Sequence, residues 1–189
     1  MITKTFVTKL KREIERADTE RSKIVRETNG YVREAKHAIF SLHRGEVSQA
    51  AASLRSLEGK LGKLAKQAEK ERLRGEGSLK AAVEEFLEAL YFYRVFEKKP
   101  LNAKISFAVG ADEQLAALSD LTGELVRAAT LEVTRGNVRC VAQYRNATEE
   151  LFGALLSMNL RGSLRQKRDE ARRNLKRLEE ILYDVSLKS

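Results

Sequence analysis

One proline, one cysteine and no tryptophan occur in the 189 residues, and each scarcity excludes something. A single cysteine permits neither an internal disulfide nor a cysteine metal cluster. With Pro100 as the only proline, the rest of the chain is free of the strongest helix breaker. No window reaches the roughly 18 to 20 apolar residues of a membrane span. The opening stretch "MITKTFVTKLKREIERADTE" has no continuous apolar run, so no secretory signal is expected. Nucleophile elbows, phosphate-cradling glycine loops and dinucleotide fingerprints are missing. These absences lead to the expectation of a soluble, cytoplasmic protein with no membrane partner.

What is present is helix-forming. Ala, Leu, Glu, Lys and Arg dominate, and the composition is 42% hydrophobic and 33% charged. Glycine and proline divide the chain into six helical segments, at about 3–43, 46–74, 78–98, 112–134, 138–159 and 163–185. The first is expected to be interrupted near Asn29-Gly30 and to end on Gly45, a left-handed cap. Ser78 suits the cap of the third. "PLNAKISFAVGAD" reads as a loop, and nothing alternates long enough for a strand. The expected fold is all-α: residues 1–189 form a single-domain antiparallel bundle of six to seven helices.

The formal net charge of +9 and a pI near 9.7 suggest a polyanionic partner. On the second helix, Leu54, Leu57, Leu61, Leu64 and Ala68 share one side. Lys63, Lys66, Lys70 and Arg74 share the opposite one. Eight cations fall between Arg161 and Arg177 on the last helix. Such rows serve either as phosphate tracks or as plain solvated faces. No helix-turn-helix, zinc finger or aromatic platform is visible.

Acids pose the sharper question. "EEFLEALYF" holds Glu84, Glu85 and Glu88 with no lysine or arginine on the next turn. Like charges four apart, such as Glu84 and Glu88, cost a helix about 0.2 to 0.5 kcal/mol. Glu85 and Glu88 share a side with Ala89, Phe92 and Phe96, so burial would raise their pKa values unless a cation compensates. Mg²⁺ or Mn²⁺ suits carboxylate oxygen. In "SDLTGELVR", Asp120 and Glu124 form a second pair, lying almost opposite Leu118, Leu121, Leu125 and Ala129. Arg127 is available to Glu124, and both acidic motifs also fit a solvated surface. The Glu-x-x-His partners of di-iron bundles are missing. His37 and His43, six apart, fit capping and packing, and Cys140 fits the role of a buried filler.

The order of these motifs resembles the translin family. "SLRQKRDEARRNLKRLEEILYDVSL" is similar to that family's closing helix. "HAIFSLHR", "EEFLEALYF" and "DLTGELVRAA" are similar to the translin-associated factor X branch. The resemblance covers nearly the whole chain. It implies an all-α subunit of about seven helices in a hollow octamer that binds RNA or single-stranded DNA. In the factor X branch it implies a Mg²⁺-dependent endoribonuclease. That branch's acids fall here on Glu85 and Glu88, and on Asp120 and Glu124. The chain lacks the long insertions and basic tail of the eukaryotic relatives, which suggests a compact, archaeal version forming a homo-octamer.

The expected mechanism is metal-assisted phosphodiester hydrolysis. Glu85, Glu88 and Asp120 would hold Mg²⁺ (or Mn²⁺), and Glu124 would ligate it or orient the water. Lys63, Lys66, Lys70, Arg74 and Arg94 are the expected contacts to single-stranded or short duplex RNA. Two alternatives stand: a non-catalytic subunit binding RNA or single-stranded DNA, and a helical scaffold whose charges serve solubility.

Overall fold

A computed structural model describes residues 2–102 and 104–187. The order is α1 (Lys4–His43), α2 (Val47–Lys70), α3 (Gly77–Phe96), α4 (Ala111–Thr134), α5 (Arg139–Leu156) and α6 (Gly162–Ser186), with no strand among the described residues. Gly45 ends α1 with φ +80, and Glu46 N–H donates to Ser41 O at 2.9 Å, satisfying a carbonyl the helix leaves open. Gly136 does the same work after α4, at φ +80.

Two local expectations need correction. α1 runs unbroken through Asn29-Gly30. Gly30 costs the helix about 1 kcal/mol relative to alanine, but Ile24, Thr28 and Ala35 are buried on either side of it and hold the path. α3 begins at Gly77, one residue before Ser78, after Glu76 in extended conformation. The Ser78 hydroxyl is buried without a hydrogen-bond partner and caps nothing.

α3 is the central element. It packs against α1, α2 and α4, while α4 also meets α5 and α6. Leu79, Ala82, Val83, Phe86, Leu87, Ala89 and Phe92 are fully buried on it, so apolar burial occupies most of its circumference. On α2 the expected stripe of Leu54, Leu57, Leu61, Leu64 and Ala68 is buried. The segment between α3 and α4 lies back over α2. Its Phe107 side chain sits 3.5 Å from the position a Cβ on Gly62 would take, and Ser106 N–H donates to Glu58 at 2.8 Å. Glu113, 2% exposed, anchors its end by accepting from Gly110 N–H at 2.7 Å and from Arg74 at 2.9 and 3.0 Å.

Nothing lies within 4 Å of a Cβ built on Gly45, so substitution there tests backbone strain alone. Gly45→Ala should lower stability by about 1 kcal/mol. Lys98 is a non-glycine at φ 52, and Lys98→Gly should shift the urea midpoint the other way.

Candidate acidic site and basic surfaces

Because α3 is enclosed on three sides, any acid on it must share space with a neighbouring helix. Glu85 and Glu88 face the seam between α1 and α4. There a cleft of about 400 Å³ is lined by Lys36, Ile39 and Phe40 of α1, Glu85 and Glu88 of α3, and Glu124 and Arg127 of α4. Asp120 lies one turn before Glu124. The negative charges of Asp120, Glu124 and Glu85 all act on Glu88, so acids from two helices gather around one carboxyl group.

The cations missing from α3 itself arrive from other helices. Lys36 of α1 stands 3.2 Å from Glu85. Lys167 of α6 hydrogen-bonds Asp120 and lies 3.7 Å from Glu84. Arg127 reaches Glu124 at 3.8 Å. The expectation of acids without protein cations is therefore corrected for Glu84, Glu85 and Asp120, while the Arg127–Glu124 pair is the one the sequence offered. Among the described residues, Glu88 alone of them has no ion pair.

His43 is the residue that sequence reasoning assigned to capping and packing. Its ring is buried, 4% exposed, against Phe92 with centroids 4.8 Å apart. Its Nε2 lies 2.5 Å from Glu124 Oε2, in the geometry of an N–H donating to a carboxylate, while Nδ1 is buried without a partner. Arg135 donates to the His43 carbonyl at 2.8 Å and fixes the end of α1 against α4. Eighty-one positions separate His43 from Glu124, so no local spacing signals the pair.

Electrostatics follow from this crowding. Burial, then the charges of Asp120, Glu124 and Glu85, push the Glu88 carboxyl from 4.5 up to about 8, with Lys167 opposing them. Burial also raises Glu84, again against Lys167. Burial works to lower the Lys167 ammonium, but the hydrogen bond to Asp120 and the charges of Asp120, Glu84 and Glu88 outweigh it, and the net shift is upward.

In kind and charge, these carboxylates fit a hard divalent cation: they are all-oxygen donors around an under-compensated acid. In position they are not yet a ligand set. Among the described residues, no three His, Cys, Asp or Glu side chains are grouped to hold a metal ion. Lys36 and Lys167 engage three of the acids, and a three-ligand arrangement requires one of these lysines to release its partner.

The basic residues separate into distinct groups. Lys63, Lys66 and Lys70 are exposed on α2, opposite its buried stripe. Arg74 does not continue their row. It lies beyond the end of α2, bound to Glu113 and to Ala108 O at 3.1 Å, because a nearly buried carboxylate needs its guanidinium. Arg94 is half-buried and hydrogen-bonds Pro100 O; it closes the turn after α3 and does not line the acidic cleft. On α6, Arg165, Arg168, Arg172, Arg173 and Lys176, with Asp169 among them, line a groove of about 550 Å³. Lys167 leaves the same helix toward the acids, so α6 has one side for carboxylates and another suited to anions.

Glu88 makes stability depend on pH. Between pH 4.5 and about 8 the folded chain retains a proton there that the unfolded chain releases. Its contribution therefore becomes steadily less favourable as pH rises through that window, and is constant above it. Glu88→Gln should be neutral near pH 4 and stabilising near pH 9 in urea titrations.

No curated protein sequence matches the chain. Among solved structures, it is similar to apo-NeC3PO with a TM-score of 0.86, at 21% identity, over 97% of each chain. AfC3PO gives 0.87 at 18% identity over 96% of this chain and 97% of that one. A structure of AfC3PO in complex with duplex RNA gives 0.77 at 20% identity, covering 96% and 95%. At these identities the likeness is one of fold. The model of the Translin family matches residues 19–189, a span holding all five acids, His43 and both basic faces, and the chain belongs to the translin family.

Proposed function

We propose that this chain binds RNA and hydrolyses its backbone with a divalent ion, Mg²⁺ or Mn²⁺, as one subunit of a homo-oligomer, expected to be an octamer. The observation that carries this reading is Glu88: a carboxyl pushed up to about 8 among other acids, with no ion pair of its own among the described residues, in a chain of net charge +9. Such a group is poised to accept a cation from outside. The RNA-bound structure of AfC3PO, a protein of the same fold, supports a nucleic-acid ligand. Single-stranded DNA is chemically close enough to be a second one, and an RNA substrate is compatible with a cytoplasmic location.

Glu88, Glu85, Asp120 and Glu124 would hold the metal. When bound, it supplies an acidified water and neutralises charge on the phosphate. The chain's own residues do the rest. His43 holds the Glu124 carboxylate in one orientation. Lys36 and Arg127, on the cleft wall, would attract the backbone on either side of the cut. Lys63, Lys66 and Lys70 on α2 and the arginine row on α6 would hold more distant phosphates, without reading sequence.

A second reading has its own observation. Lys36, Lys167, Arg127 and His43 already engage four of the five acids, as suits a non-catalytic RNA holder. Labelled single-stranded RNA, incubated with Mg²⁺ or with EDTA and followed for both retention and fragments, separates the two. Cleavage with Mg²⁺ alone is expected, and retention without fragments supports the holder. Glu88→Gln should retain RNA and cut more than about 100-fold more slowly, since even outer partners of a metal site cost roughly 10- to 100-fold. Wild-type cutting by that variant removes Glu88 from the chemistry. Replacing Lys66 and Lys70 by alanine should flatten the salt dependence of single-strand binding by about 1.4 in log–log slope, at roughly 0.7 per phosphate.

A further inference from the structure

Phe40 is 48% exposed, although Ala38, Ile39, Ser41 and Leu42 around it are buried. It is one turn from His43, near the end of α1. The ring lines the acidic cleft on one side, beside Glu85, Glu88 and Glu124. On the other it borders a shallow depression formed with Arg33, Lys36 and His37. The Arg44 guanidinium lies 5.5 Å from the ring centroid. A large apolar ring thus stands at the junction of a carboxylate cleft and a cationic patch, with Arg33, Lys36, Arg44 and Arg127 around it.

We propose that Phe40 is a stacking platform for an unpaired nucleobase, placing the backbone next to that base at the mouth of the acidic cleft. The inference rests on the RNA-binding reading above and adds a specific contact: one base, free of its partner, held against the Phe40 ring. Two physical points select a base over other occupants. An aromatic face flanked by cations matches a nucleotide in both its parts, the flat base and the anionic phosphate. The core of a protein–protein interface is instead depleted of lysine and acidic residues, and Lys36, Glu85, Glu88 and Glu124 line the cleft beside this ring. A fully stacked duplex offers no free base face to Phe40, so pairing at that position excludes it. Sequence reading found no aromatic platform because a single phenylalanine in a helical run gives no local signal. Only the fold sets it beside the acids.

The sequence has no tryptophan, so Phe40→Trp supplies a single fluorophore at the proposed platform. All measurements are made in EDTA, which keeps cleavage out of the readout. Single-stranded RNA should quench the tryptophan emission of Phe40→Trp, and a blunt, fully paired RNA should not. Phe40→Ala should weaken single-strand affinity about 5- to 100-fold, leave duplex affinity within twofold, and be rescued by Phe40→Tyr. An oligonucleotide lacking bases but keeping its phosphates should bind wild type and Phe40→Ala equally. Unchanged single-strand affinity of Phe40→Ala overturns the proposal, and so does an equal loss on duplex or abasic strands. A fall in assembly mass for Phe40→Ala by light scattering also overturns it, by showing that a second copy covers the ring. A wild-type chain that binds RNA without cutting it leaves this test intact. One that retains no RNA overturns both readings together.

Discussion

The confinement of α3 is the constraint on which the rest depends. A helix fully buried at Leu79, Ala82, Val83, Phe86, Leu87, Ala89 and Phe92 has little circumference left for charge. The charges it does carry are turned into seams between helices, where water solvates them poorly and neighbouring carboxylates are close. Desolvation comes first among the causes that raise Glu88, with the other acids adding to it. Three cations answer that crowding: Lys36 from α1, Lys167 from α6 and Arg127 from α4. They pair with Glu85, Glu84, Asp120 and Glu124, and only the more distant charge of Lys167 opposes the rise at Glu88. An interior that leaves one acid under-compensated pays a stability cost, and such costs are commonly found where a site needs them.

Much of the architecture was legible because helix ends are written in local chemistry. Gly45 and Gly136 fulfil a backbone need that few other residues meet at low cost, so the ends of α1 and α4 could be placed from sequence. The exceptions are places where tertiary packing overrides propensity: the unbroken path through Gly30 and the unused hydroxyl of Ser78. At the site, spacing correctly set Glu85 and Glu88 on one side of a helix beside Phe92. It could not supply partners 47 or 81 positions away, and so Lys167 and His43 stayed invisible. The helical wheel of α4 placed Asp120 and Glu124 away from its own apolar stripe. They face Lys167 of α6 and His43 of α1, and each thereby finds a partner within the same chain.

The basic residues teach a related lesson. Arg74 and Arg94 are cationic in sequence exactly as Lys66 or Arg172 are, yet both are consumed by structure, one by a buried carboxylate and one by a carbonyl at a turn. Composition counts charges; the fold decides which remain available to a ligand. Of the expected phosphate contacts, Lys63, Lys66 and Lys70 keep that availability, and the arginine groove of α6 joins them.

The lengths of α1 and α2 differ, with 40 residues against 24. The Arg16–Glu71 and Arg21–Glu76 pairs tie α1 to the chain just beyond α2. Before Arg16, about a dozen residues continue as an overhang of about 18 Å at 1.5 Å each, every described one exposed. Its helicity rests on neighbours along the chain: the Thr3 hydroxyl accepting from Phe6 N–H, and Lys9 beside Glu13. Isolated turns of that length are marginal in water, so this end frays first, and its amide hydrogens exchange with solvent well ahead of those on α3.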